Sequence, residues 1–297
     1  MTQPDLDVLT RFLLPGAGVR GVLVHLDDTW RQIHGRAEHA QAVTALLGET
    51  AAAAALFTGH AKVDGRLSVQ LRGHGALRTV FAECTSAGTL RGIAQAAEDL
   101  PAPRGLSDLG ADPVLAITIE NPSPHGRDPQ RYQGLVPLEG ADLATAFERY
   151  FAQSEQLPTR ILLAASDQRA AGLMLQKLPG DSGDEDGWTR AGALFDTLAP
   201  AELLAWTGQE LLHRLFHEEA PDVLATRPLS FDCSCSSARV AGMLQSLGED
   251  EALAAVAEGV VRVRCEFCGE HYVFIQDEVV ELFRPSQPQA SAPETLQ

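Results

Sequence analysis

The chain has 297 residues, 45% of them hydrophobic, and a formal charge of −17 from 23 Lys and Arg against 40 Asp and Glu. That length implies about two domains, because single cores stop growing at roughly 100–200 residues. So acidic a chain argues against broad binding to nucleic acid or to an acidic membrane surface, which both need a basic face. The opening Met1-Thr2-Gln3-Pro4-Asp5 has no basic segment leading into an apolar run. No signal peptide is therefore expected, and a cytoplasmic location is. The most apolar stretch, Ala51 to Phe57, is too short and alanine-rich to predict a bilayer span.

In chain order, Val19 to Leu26 reads as a strand, and Ala37 to Lys62 as a long helix broken or bent near Gly48. Leu67 to Leu71 alternates apolar and polar residues, as a half-buried strand does. Leu77 to Ala82, Val114 to Ile119 and Gly134 to Leu138 read as further short strands, and Leu143 to Gln153 has helical spacing. Arg160 to Ala164 and Gly172 to Leu178 read as a hairpin. Short strands that do not alternate regularly with helices predict an α+β fold rather than a doubly wound sheet. A solvated loop follows from Pro179 to Gly187.

Beyond that loop, Trp188, Ala191, Leu194, Phe195 and Leu198 fall on one helical face, and Ala201 to Trp206 and Gln209 to Phe216 continue in helical patterns. This apolar stripe must be buried on a neighbour or stay wet. Ser237 to Leu247 and Glu249 to Ala257 read as helices, and Val260 to Arg264 and His271 to Ile275 as strands. Pro285 to Gln297 has the composition of a disordered tail. The predicted division is a core domain over 1–178, a helical linker over 179–232, a small C-terminal domain over 233–284 and a tail over 285–297.

The chemistry lies in the cysteines. Four of the five form two tight pairs, Cys233-Ser234-Cys235 and Cys265-Glu266-Phe267-Cys268, separated by 29 residues. Thiolates paired on turns are what a tetrahedral zinc site needs, and Cys268-Gly269 completes a common knuckle. In a chain with no export signal, paired cysteines more often bind metal or do redox work than staple a fold. Each pair can also close as a disulfide, which is a poor zinc ligand. His271, three residues past Cys268, is expected beside the site rather than as a ligand. Cys84 has no partner in sequence and reads as a small buried apolar residue. The 233–284 segment is poor in large apolar side chains, so without metal it is expected to unfold.

At these residues the chain resembles the bacterial heat shock protein 33 family, the 33 kDa chaperonins. The match lies in Cys233-Ser234-Cys235-Ser236 and in Cys265-Glu266-Phe267-Cys268-Gly269-Glu270-His271-Tyr272. Upstream, Val19-Arg20-Gly21, Arg131-Tyr132-Gln133-Gly134-Leu135-Val136, Ala171-Gly172-Leu173-Met174-Leu175-Gln176 and Leu215-Phe216-His217-Glu218-Glu219 match other landmarks in order. So does Tyr150-Phe151-Ala152-Gln153-Ser154-Glu155-Gln156-Leu157-Pro158-Thr159.

The resemblance implies an ATP-independent chaperone, not an enzyme, that binds unfolded client proteins under oxidative stress. It implies one zinc ion per chain on Cys233, Cys235, Cys265 and Cys268 when reduced. Oxidation then forms disulfides Cys233–Cys235 and Cys265–Cys268, releases zinc, unfolds the switch domain, loosens the linker and converts a monomer into a homodimer. The acidic loop 179–187 and the extra Cys84 depart from the pattern.

Two alternatives stay open from the residues alone. A static zinc ribbon would dock protein rather than nucleic acid, because the chain from Cys233 onward has four Arg, no Lys and ten Asp and Glu. A thiol–disulfide oxidoreductase would place Cys-x-x-Cys at a helix N-terminus, whereas here a strand follows. Gly16-Ala17-Gly18 and Gly73-His74-Gly75 lack the lysine or full fingerprint of a nucleotide site and read as turns.

Overall fold

The most apolar part of the sequence forms the centre of the fold. The computed structural model describes residues 6–123, 128–138, 142–180, 183–256 and 259–284. The tail 285–297 and Ala257, the expected end of a helix, lie outside the described residues. The chain divides into two compact units, one ending at Cys233 and one beginning at Ser234.

In the first unit, β1 (Asp7–Leu14), β2 (Val19–Leu26), β8 (Thr159–Ala165), β9 (Ala170–Lys177) and β10 (Asp222–Pro228) form a five-stranded sheet in the order β10-β1-β2-β9-β8. β3 (Arg66–Arg72), β4 (Leu77–Thr85), β5 (Thr89–Ala96), β6 (Val114–Asn121), β7 (Gln130–Val136) and β11 (Ser230–Phe231) form a six-stranded sheet in the order β11-β5-β4-β3-β6-β7. Every pairing is antiparallel except β11 with β5. The architecture is α+β, as the sequence predicts.

Helix α2 (Gln41–His60) lies between the two sheets and touches strands of both. Ala51 to Ala55 are each fully buried, because only a methyl side chain lets a helix approach two sheets at once. Helix α2 contains an 18-residue stretch, of mean hydropathy 1.4, long and apolar enough to cross a membrane by length and composition, but 78% of that stretch is buried inside the fold. The helix expected to be broken or bent near Gly48 runs unbroken through it. A Cβ there would sit 2.5 Å from the Ala165 Cβ and 3.1 Å from Trp30, so this glycine serves close approach. Phe57 closes the end of the core, with its ring 4.8 Å from Phe147 and 5.2 Å from Phe151 on α3 (Leu143–Ser154).

The other face of the five-stranded sheet is covered by α4 (Gly187–Phe195), α5 (Pro200–Ala205) and α6 (Gly208–Phe216). Their apolar stripe (Ala191, Phe195, Leu203, Leu211, Phe216) packs on Phe12, Leu14, Leu23, Leu173 and Leu175. Polar clamps fix the helices in place. His25 Nε2 donates to the Leu203 carbonyl at 3.1 Å. Arg169 pairs bidentately with buried Asp27 at 2.7 and 2.8 Å and donates to the Leu204 carbonyl at 2.8 Å. Within the segment, Arg190 pairs with buried Glu219. Arg190 also pairs with Asp184 at 2.9 Å, and its hydrogen bonds to Glu219 first and then to Asp184 raise the guanidinium above its ordinary value.

The segment expected to be purely helical also carries strands. β10 extends one sheet and β11 the other, so residues 222–231 strap both sheets together. Sequence patterns also miss β1, β5 and α1 (Asp28–His34).

The second unit contains α7 (Ser237–Leu247), α8 (Glu249–Ala254), β12 (Val260–Arg264), β13 (His271–Ile275) and α9 (Gln276–Leu282). Its described buried core is Val240, Leu244, Ala252, Val261, Phe274 and Val279.

Phe57→Ala should cost the first unit about 3–5 kcal/mol, because it removes a buried ring from a site closed on every side. The shift in urea midpoint followed by tryptophan fluorescence measures it.

Candidate metal centre

The chain is pinned immediately before its first thiol. The Asp232 amide donates to the Leu90 carbonyl at 3.0 Å, and Cys233 follows. After Cys235, the Ser236 hydroxyl accepts from the Arg239 amide at 3.2 Å and caps α7, so the pair leads straight into a helix. The second pair sits on the turn between β12 and β13, where Arg264 lies opposite His271. The Cys265 amide donates to the Glu270 carbonyl, and the Gly269 amide to the Cys265 carbonyl, both at 2.8 Å. Gly269 has φ +75, a left-handed conformation that glycine takes without steric cost.

The structure brings all four predicted residues together. The Sγ atoms of Cys233, Cys235, Cys265 and Cys268 lie within 4.8 Å of one another, each residue half-buried. Cys235 and Cys268 come to 3.2 Å, well beyond a bonded S–S separation of about 2.05 Å. A tetrahedron with metal–sulfur bonds of about 2.3 Å has sulfurs roughly 3.8 Å apart. Four convergent sulfurs with no oxygen donor thus fit a soft or borderline metal ion of the zinc type.

His271 is exposed on β13 and is not among the grouped ligands. Cys84 is fully buried on β4, outside the group, and burial pushes its thiol up to about 11. It is chemically quiet at neutral pH.

One contact was not foreseen. The Tyr272 hydroxyl donates to Cys235 Sγ at 3.1 Å. That hydrogen bond, followed by burial and by the charges of Cys235, Cys268 and Glu270, raises the phenol above its ordinary value. The sequence signal was a tyrosine on the strand leaving the knuckle, but spacing does not say which sulfur it reaches.

Cys233→Ser and Cys265→Ser should each lower metal content and affinity strongly, whereas Cys84→Ser should leave both unchanged. Elemental analysis and competition with a chromophoric chelator on the purified reduced proteins check this.

Comparison with known proteins gives one result throughout. The family model described as Hsp33 protein matches residues 7–275. A 33 kDa chaperonin of Pseudomonas putida (strain GB-1) is 44% identical over 291 residues, covering 94% of each chain. A 33 kDa chaperonin of Chromobacterium violaceum is 40% identical over 284 residues, covering 95% of this chain and 96% of the relative. The crystal structure of the 33 kDa chaperonin (heat shock protein 33 homolog) of Thermotoga maritima superposes with a TM-score of 0.74, at 22% identity, over 93% of this chain and 97% of that one. The chain belongs to the Hsp33 family of chaperones.

Proposed function

We propose that this chain is a redox-regulated, ATP-independent holdase that binds unfolded proteins when oxidised. The observation that carries the reading is the convergence of four thiols, three of them in a unit whose described buried core is only six side chains. So small a core does not offset the entropy of ordering its chain, and metal binding, on the order of 10–16 kcal/mol in small zinc peptides, does.

In this reading, residues 1–178 form the client-binding and dimerisation core, 179–232 a metastable linker and 233–284 the redox switch. Cys233, Cys235, Cys265 and Cys268 hold one zinc ion in the reduced state. Zinc, when bound, keeps the four sulfurs as thiolates. A thiolate attacks peroxide, forming an S–O bond as the O–O bond breaks and hydroxide leaves. The neighbouring sulfur of the same pair then displaces hydroxide from the sulfenic acid, forming S–S. Two peroxides thus give the disulfides Cys233–Cys235 and Cys265–Cys268, which leave no thiolate to hold an ion. A Cys-x-Cys disulfide closes a very small ring, which favours its later reduction.

The linkage to client binding runs through the chain itself. Cys233 lies one residue beyond Asp232, whose amide is tied to Leu90 next to the two-residue strand β11. Loss of order from Cys233 onward frees the end of that strap. Fraying through β11 and β10 then reaches α4–α6, which cover Phe12, Leu14, Leu23, Leu173 and Leu175. The uncovered sheet face binds apolar segments of clients at roughly 25 cal/mol per Å2 buried. The charge of −17 keeps the loaded protein soluble in the cytoplasm and disfavours nucleic acid and acidic membranes as partners. The same uncovered face supports homodimerisation of the oxidised form.

The pair that opens helix α7 is Cys233-Ser234-Cys235, one residue short of the Cys-x-x-Cys that an oxidoreductase places there. The Cys265–Cys268 turn joins two antiparallel strands instead of opening a helix, which disfavours an oxidoreductase. A static protein-docking module is separated by experiment. During titration with peroxide or hypochlorite, zinc release, thiol loss and suppression of client aggregation should rise together. Equal protection before and after oxidation, or full retention of zinc, would refute the switch. Arg169→Ala should raise client protection by the still-reduced protein, because it removes charge-assisted bonds to Asp27 and Leu204 worth about 2 kcal/mol. Light scattering of a denatured client measures this.

A further inference from the structure

We propose that Tyr272 is a positioning residue that restrains the oxidation of Cys235 and so sets the threshold of the switch, an inference that rests on the four-sulfur reading above. Tyr272 lies on β13, opposite Val263, and its ring packs against the small core of the C-terminal unit. Its hydroxyl is therefore held by the strand and not by a mobile loop. The hydroxyl donates to Cys235 Sγ at 3.1 Å, and that sulfur also lies 3.2 Å from Cys268 Sγ.

A sulfur that lends a lone pair to an O–H is a weaker nucleophile towards peroxide. It is also a weaker electron donor to a bound metal ion. The reaction being restrained is the one in which Cys235 thiolate takes the distal oxygen of peroxide, the O–O bond breaks and hydroxide departs. Cys233 then displaces hydroxide from the sulfenic acid to close the disulfide. While the phenol is in place, attack by Cys235 requires its hydrogen bond to weaken, so the pair that carries the strained ring reacts later than its spacing alone would dictate.

Tyr272→Phe removes one oxygen and keeps the ring, so the packing of the unit is preserved. In the full-length, zinc-loaded protein, peroxide-driven zinc release and Cys233–Cys235 disulfide formation, read by chelator absorbance and by mass spectrometry of trapped thiols, should be roughly tenfold faster in the variant. In cobalt-substituted protein, the sulfur-to-metal charge-transfer band should move to lower energy in Tyr272→Phe, a change that a purely structural role would not produce. Incorporation of 3-fluorotyrosine at 272, a stronger donor of nearly the same shape, should slow release below wild type. That keeps the test decisive if the phenylalanine variant loads metal poorly. Equal release rates, or rates indifferent to fluorination, in proteins that hold zinc would overturn the role of Tyr272 and leave the switch standing. A wild-type chain that holds no metal would overturn both.

Discussion

Four sulfurs gathered within 4.8 Å are the constraint on which the proposed switch depends. The C-terminal unit has five short elements and a described buried core of Val240, Leu244, Ala252, Val261, Phe274 and Val279. Backbone and side-chain ordering costs on the order of 1–2 kcal/mol per residue, and a core of this size returns too little to balance it. The turn that carries Cys265 and Cys268 is preorganised by the β12–β13 pairing and by the left-handed Gly269. The Cys233–Cys235 pair is preorganised by the capped start of α7. Each half presents its thiols cheaply, and joining the halves is left to the ion they fit. Under the proposed switch, such a fold is stable or absent according to the state of its sulfur.

The first unit has the opposite character. Its central helix is buried along most of its length, and α2 meets two sheets across a run of five alanines. The one thiol in that unit's core, Cys84, is fully buried, and burial holds its pKa high. Between the two regimes lies the covering layer α4–α6. It is apolar enough to pack on Phe12 and Leu173, yet it is made of helices of six to nine residues. Isolated helices that short are unstable in water, so they persist only while docked. Arg169 and His25 supply the polar part of that docking. The layer is thus suited to detachment without loss of the sheet beneath.

Much of this could be read in the residues. The cysteine spacing picked out the four residues whose sulfurs the fold gathers within 4.8 Å of one another. The alternating pattern at Leu67–Leu71 and the apolar face from Trp188 to Leu198 gave β3 and α4 for the same reason that amphipathic periods usually succeed: one side is wet. The misses have physical causes. β10 is exposed along nearly all its length, so no buried face marks it, and it exists because β1 offers an edge. β11 is two residues long. Gly48 looks like a helix breaker in one dimension and is a point of close approach in three. The Tyr272–Cys235 hydrogen bond depends on which face of β13 the ring takes once the knuckle has closed, and spacing does not encode that choice.

The central claim is that order is lost in sequence, from the sulfur-held unit, through the strap, to the covering helices, while the two-sheet core stays intact. Hydrogen–deuterium exchange of the full chain during stepwise oxidation addresses it most directly. The account predicts that protection vanishes first in peptides spanning 234–284, then in those spanning 188–231, and persists in α2, β2 and β9. Full protection of 234–284 after both disulfides have formed, or protection of 188–231 unchanged once it is lost there, would contradict it.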